Sequence, residues 1–477
     1  MSSMLANGLA FLAARLLIPV GSFAINIAIA RLWGKETLGA YVYLLSFTII
    51  FQVAAGAGVS ALLTRELSAR ADEIRPLLRL GRTLALLIGL GATLLYVLLA
   101  WLLIPERRWF ATAVLITTIL PSAWIAVHEA YFLATRNHHR ITLVALLENS
   151  IKIGLAIAAF VGGYGLIAIC AAIATGRIGA VGMSAYLIRR DGCTHAWRPS
   201  WQRLGDLSRP LLPFAAIATV SIAFFRSDIL VVQRLLDPGS TGDYAAALAF
   251  YGVMLMLPEA AIAALYPRLA CAYREAPGVF LRATEFGSRL LPLWMAPCAL
   301  GLSALSGILV NAVYGSALAD AAPLLRMLAV ALPIHAYNAI LGSALQAAHL
   351  QRVALRLVSG ALALQFLLLV VLIGSFGVVG APVATVLSSL VLSASMTFVL
   401  RSQVAATAVS AAGPLSLGWA LLPLVACAAL PNAGPCISLG AGLLTIVGGL
   451  WVLGLLSPRR YRIALGATGG PSEVSPA

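Results

Sequence analysis

Arg31-Leu-Trp-Gly-Lys-Glu-Thr-Leu-Gly39-Ala-Tyr41 and Arg234-Leu-Leu-Asp-Pro-Gly-Ser-Thr-Gly242-Asp-Tyr244 align at an offset of 203, with Arg, Leu, Gly and Tyr kept in place. The same offset carries Phe47 to Phe250, Arg65 to Arg268 and Arg79 to Arg282. Further along, the offset is 212: Arg140 falls on Arg352, and Gly162-Gly-Tyr-Gly165 on Gly374-Ser-Phe-Gly377. The chain is therefore read as two copies of one unit, with nine residues added to the second copy.

The unit is a bundle of membrane spans. Of 477 residues, 61% are hydrophobic and only 10% charged, where a soluble chain carries about 25% charged residues. The apolar residues come in runs of about 20, the length that crosses a hydrocarbon core roughly 30 Å thick. Such runs do not alternate as barrel strands do, and hydrocarbon offers no partner for an open backbone, so helices are expected. The spans read as 8–31, 38–63, 81–104, 109–134, 142–162, 165–188, 207–233, 242–266, 286–313, 320–348, 353–374, 377–400, 415–430 and 437–456. That predicts an all-α integral membrane protein of about 14 transmembrane helices. Two six-helix lobes form a parallel pseudo-twofold repeat, followed by two C-terminal helices. Because six is even, both copies enter the membrane from the same side. The expected divisions are an N-lobe over 1–190, a cytoplasmic linker over 191–206 and a C-lobe over 207–402. Helices 13–14 occupy 403–462, and a Gly/Pro/Ser-rich tail, 463–477, reads as disordered.

Charge sets the orientation. The net charge is +15, which in a soluble chain would suggest nucleic acid. Here the basic residues lie in short loops, 21 after even-numbered spans and five after odd-numbered ones. By the positive-inside rule both termini are cytoplasmic, and the expected location is a bacterial inner membrane. The first apolar run contains Arg15 and lacks a signal-peptide pattern, so no cleavage is expected.

A charge at membrane depth costs about 2.5–3.5 kcal/mol on insertion scales and needs a reason. Arg15, Lys152, Arg177, Arg226, Glu148 and Asp228 lie deep in their spans. Arg15, Pro19, Ser22 and Asn26 share one helix face, as do Thr219, Arg226 and Gln233. His335, Asn338, Gly342, Gln346 and His349 form a third stripe. Such stripes suit helices lining a hydrated cavity, the alternative being polar packing between helices. Glu148 and Lys152 have the spacing of an intrahelical ion pair. The sequence leaves open whether Asp228 pairs with Arg177 or faces the other lobe. The substrate-binding candidates are Arg15, Asn26, Lys152, Arg177, Arg226, Asp228, Asn338 and Gln346.

Enzyme chemistry finds little purchase. The six cysteines show no ligand-like spacing, so they read as small apolar residues, and no metal or cofactor is expected. There is no Walker A string. Gly56-Ala-Gly58 and Gly176-Arg-Ile-Gly179-Ala-Val-Gly182 lie inside helices, where glycine permits close helix packing. No loop is large enough to house an active site.

The string RLWGKETLGAYVYLLSFTIIFQVAAGAGVSALLTREL, residues 31–67, resembles the signature of bacterial polysaccharide flippases of the O-antigen type. FFRSDILVVQRLLDPGSTGDYAAALAF, residues 224–250, resembles their seventh-helix region with its Asp, here Asp228; residues 321–388 are similar to the same family. The likeness spans roughly residues 8–400, in a superfamily that also holds lipid II flippases and multidrug extruders. It implies two six-helix lobes around a central cleft and transport of an undecaprenyl-diphosphate-linked oligosaccharide by alternating access. A polysaccharide polymerase and chain-length proteins are its implied partners, with no nucleic acid. The chain departs from simple members by adding helices 13–14, and Ala218 stands where the repeat would match Arg15. A cleft with Arg15, Arg177 and Arg226 suits a diphosphate, since guanidinium donates paired hydrogen bonds to phosphate. Two other readings are weighed. A cation-coupled drug exporter predicts an acidic cleft, whereas the deep charges lean basic. A membrane glycosyl-polymerase or ligase predicts a sizeable polar outer loop, and the outer loops are short.

Overall fold

The computed structural model describes residues 20–69, 74–192, 204–405 and 412–429, with single positions 440, 442, 447 and 448. Every regular element among them is helical. They are α1 (Val20–Trp33), α2 (Lys35–Ala69), α3 (Ile74–Leu103), α4 (Trp109–Ile116), α5 (Ile119–Ala134), α6 (His138–Val161) and α7 (Leu166–Arg190). Then follow α8 (Leu204–Leu235), α9 (Pro238–Glu275), α10 (Pro277–Ala304), α11 (Ser306–Tyr314), α12 (Ala321–Ala347), α13 (Gln351–Phe376), α14 (Gly380–Gln403) and α15 (Ala412–Ala429).

These boundaries keep the register of the repeat. Shifted by 203, Lys35 falls on Pro238 and Ile74 on Pro277, the first residues of α2, α9, α3 and α10. Shifted by 212, Trp109 falls on Ala321, where α4 and α12 begin. The added nine residues are α11, a nine-residue helix bent 64° from α10. Nothing between α3 and α4 corresponds to it. Pro121 in α5 and Pro333 in α12 are also 212 apart, a match that extends the repeat.

Among the described residues nine helical stretches are long and apolar enough to cross a membrane, or ten if α10 and α11 form one bent span. The last stretch, Gln351–Gln403, has 53 residues, about 80 Å of helix at 1.5 Å per residue. That is too long for one crossing, and α13 and α14 instead pack on each other. The chain reverses at Gly377, whose φ of 63° and ψ of −147° only glycine adopts readily. Of the fourteen expected spans, 8–31 is described only from Val20, and 437–456 lies almost wholly outside the described residues. The expected tail and most of the expected linker, 193–203, lie outside them too.

Contacts divide the chain into two compact units, Met1–Ala246 and Ala247–Ala477. In the first, α2 packs on α3, α5 and α8. Gly56 and Gly58 lie two residues apart, so they face nearly opposite sides of α2. A Cβ on Gly56 would lie 3.1 Å from Ala126 Cβ of α5, and one on Gly58 2.6 Å from Ala215 Cβ of α8. Each glycine therefore admits one neighbour. Phe47, Phe51 and Tyr96 pack in tilted and edge-on pairs at 5.0–5.2 Å between centroids, and Tyr96 shares a 3.1 Å hydrogen bond with Thr48. The opposite side of α3 leaves Leu87, Leu90, Leu94, Leu98 and Trp101 exposed. Their spacing of three and four makes one apolar face, which suits lipid. Beyond α7, Arg140 and Tyr131 both donate to Asp191. The Arg140 hydrogen bond holds the Asp191 carboxyl below the usual range; burial opposes it, and the Tyr131 hydroxyl adds a smaller lowering effect.

In the second unit α12 is the central helix, packed on α10, α14 and α15. The α13–α14 hairpin closes on Gly380, where a Cβ would sit 2.3 Å from the backbone of Leu372. No side-chain rotation relieves a clash with backbone. Gly380→Ala is expected to lower stability by about 1–3 kcal/mol, the cost of overpacking, read as an earlier thermal transition in detergent. Gly374→Ala, with open space around it, should leave that transition in place.

Candidate functional site

Three helices of the first unit converge on charges that their sequences place in the middle of apolar runs. A Cβ on Gly176 of α7 would lie 2.8 Å from Glu148 O and 3.5 Å from Lys152 Cβ, both on α6. Gly21 of α1 meets a side chain of α6, its Cβ position lying 2.5 Å from the Ile153 Cδ1. Beside these close approaches stand Ser22, Glu148, Lys152 and Arg177. Lys152 Nζ donates to Ser22 Oγ at 2.9 Å, and Arg177 Nε lies 3.3 Å from Glu148 Oε1. Asn26 is half-buried one turn beyond Ser22 on α1.

The sequence pairs Glu148 with Lys152; the structure instead pairs Glu148 with Arg177 and gives Lys152 a neutral partner. Packing decides this. Gly176 lets α7 lie against α6 closely enough for its neighbour Arg177 to reach the carboxylate. One carboxylate at membrane depth thus stands near two cations, paired with Arg177 and one helix turn from Lys152. The side chains of Arg177 and Glu148 keep 26% and 20% of their surface exposed. The site can accept an anion.

The repeat is not symmetric here. At an offset of 212, Glu148, Lys152 and Arg177 become Gly360, Leu364 and Ser389. The second unit holds neutral hydrogen bonds in the same region. Asn338 Nδ2 donates to Ser389 O at 3.1 Å, and Ser393 Oγ donates to Asn338 Oδ1 at 2.7 Å. Ser388 Oγ donates to Gln365 Oε1 at 3.1 Å.

The other candidates are dispersed. Asp228 is buried, accepting from Tyr244 Oη and from the Ile229 amide, each at 2.7 Å. Arg226 is half-buried on α8, two residues away. Of the α12 stripe, His335 and Asn338 are buried, and His335 Nδ1 meets Tyr251 Oη and Ala331 O. Gln346 is exposed in the last turn of that helix, and His349, expected on the same stripe, lies beyond its end with a φ of 58° and is exposed. Arg15 lies outside the described residues. Sequence reading did not select Gly176 or Ser22 as site residues. The signal was present in both: a glycine beside an intramembrane Arg, and a serine on the stripe that holds Asn26.

A family model described as polysaccharide biosynthesis protein matches residues 28–323 of the chain. No curated protein matches it by sequence. Among solved structures it is similar to the lipid II flippase MurJ in an inward closed conformation, with a TM-score of 0.73 and 14% identity over 93% of this chain and 98% of that one. An inward-facing multidrug resistance MATE family transporter of the MOP superfamily matches with a TM-score of 0.65 and 15% identity, covering 88% and 99%. The eukaryotic MATE transporter AtDTX14 matches with a TM-score of 0.60 and 16% identity, covering 87% and 100%. At such identities the likeness is one of fold.

Proposed function

Because the chain belongs to the polysaccharide biosynthesis protein family, we propose that it is a flippase moving a lipid-linked oligosaccharide from the cytoplasmic to the outer leaflet of a bacterial inner membrane. The carrier in this reading is undecaprenyl diphosphate. The observation that carries it is a pair of cations at membrane depth, Arg177 on the carboxylate of Glu148 and Lys152 on the neutral hydroxyl of Ser22. A diphosphate supplies the charge that balances them, and Arg177 adds donors matched to phosphate oxygens. Asn26, one turn beyond Ser22 on α1, is assigned to the adjoining sugar. With Gly360, Leu364 and Ser389 at the equivalent positions, the second copy does not repeat this set of charges.

The protein is a transporter and not an enzyme. It works by alternating access, with both termini in the cytoplasm, and draws on an ion gradient or the membrane potential, about 2.3 kcal/mol per charge per 100 mV. The MATE likeness makes a drug exporter the competing reading. Deleting the gene separates the two. Surface polysaccharide is expected to disappear while lipid-linked oligosaccharide accumulates in the cytoplasmic leaflet. Unchanged polysaccharide with new sensitivity to cationic drugs would establish the exporter instead.

A further inference from the structure

The two strings that reveal the repeat also touch each other. Gly39 near the start of α2 and Gly242 near the start of α9 occupy equivalent positions, 203 apart. A Cβ on Gly39 would lie 2.8 Å from Gly242 N and 3.0 Å from Pro238 O. A Cβ on Gly242 would lie 2.1 Å from the carbonyl oxygen of Lys35, the counterpart of Pro238. Each helix start thus presses its glycine against the other's first turn, as a local twofold requires. Leu38 and Thr241, also equivalent, are both 0% exposed.

One interaction breaks that symmetry. Lys35 crosses Gly239 and reaches Asp243, with Nζ 3.1 Å from Oδ2. The positions equivalent to this pair are Pro238 and Ala40, which have no charge to exchange. At Gly39 and Gly242 the junction is backbone against backbone, a contact that a small separation would remove.

We propose that this junction is the outer gate of the transporter and that Lys35–Asp243 is its latch. The proposal rests on the flippase reading above only for alternating access and for the orientation, which puts the starts of α2 and α9 at the outer surface. In this proposal the two helix starts, both within the first compact unit, part when the carrier opens outward. Glycine suits the task, because at Gly39 and Gly242 the two backbones meet with no side chain of their own between them. The ion pair then supplies an adjustable hold on the closed state.

The test uses the full chain with its six cysteines replaced and Thr241→Cys as a probe. A membrane-impermeant maleimide is applied to intact cells. The buried probe should react slowly in the parent. Asp243→Asn and Lys35→Met should each raise the labelling rate about two- to fivefold, the range set by the strength of a partly exposed ion pair. The exchange Lys35→Asp with Asp243→Lys should return it toward the parent rate, which also shows that the singles had not merely misfolded. Unchanged labelling in both single variants would overturn the latch, as would an exchange that labels as fast as they do. Absence of outside labelling in every variant would overturn the gate itself. Labelling needs no substrate, so failure here is distinguishable from a wrong assignment of the diphosphate.

Discussion

Lys152→Met is expected to abolish polysaccharide export while the protein stays at wild-type abundance. Lys152 donates to the neutral Ser22 hydroxyl, and the nearby carboxylate, Glu148, already has Arg177 at 3.3 Å. Removing the ammonium therefore strands no buried anion, and it lifts a charge whose insertion costs about 2.5–3.5 kcal/mol. Stability should hold or rise slightly. What is lost is half of the cationic pair assigned to the diphosphate. Arg177→Met should behave differently. It leaves Glu148 without its cation, a change that costs about 3–5 kcal/mol in a fully buried pair and less here, where both side chains keep some exposure. Abundance should fall, and a second change, Glu148→Gln, should restore it without restoring export. Surface polysaccharide and protein level, measured together, separate these outcomes. Wild-type export from a stable Lys152→Met protein would remove Lys152 from the site.

Gly176→Val is expected to cost the protein both its abundance and its export. The position faces Glu148 O at 2.8 Å, so a branched side chain must push α7 away from α6. Overpacking of this kind costs about 1–3 kcal/mol, and the separation also draws Arg177 from Glu148, adding the loss of that pair. Gly176→Ala should show a smaller defect in the same direction. Gly182→Ala, on the same helix with nothing within 4 Å of its Cβ position, should be silent. Equal behaviour of Gly176→Val and Gly182→Ala in a thermal melt would show that the α6–α7 approach does not hold the site.

Much of this was legible without coordinates. Membrane spans announce themselves because hydrocarbon thickness fixes their length and a buried backbone must be helical. The repeat was visible because both copies retain the residues that end one helix and begin the next, and the structure starts α2, α3 and α4 in register with α9, α10 and α12. Even the change of offset had a physical meaning, the nine residues of α11. Their location could be bracketed from sequence, but their bend of 64° could not, since a short apolar segment reads the same whether it continues a helix or turns aside.

Partners were another matter. Local spacing makes Glu148 and Lys152 neighbours, but an ion pair forms with whichever cation the packing brings nearest. Gly176 brings α7 close enough for Arg177 to take the carboxylate, leaving Lys152 to Ser22 of α1. Asp228, open to several partners on sequence grounds, is satisfied by Tyr244 and by the amide of Ile229. The contact of Gly39 with Gly242 is of the same kind. The sequence by itself determined that the chain is a helical membrane protein built twice from one unit, because periodicity and length are local properties of the chain. Only the tertiary structure decided which charges share a site and which glycines meet, because those depend on angstrom-scale approaches between helices distant in sequence.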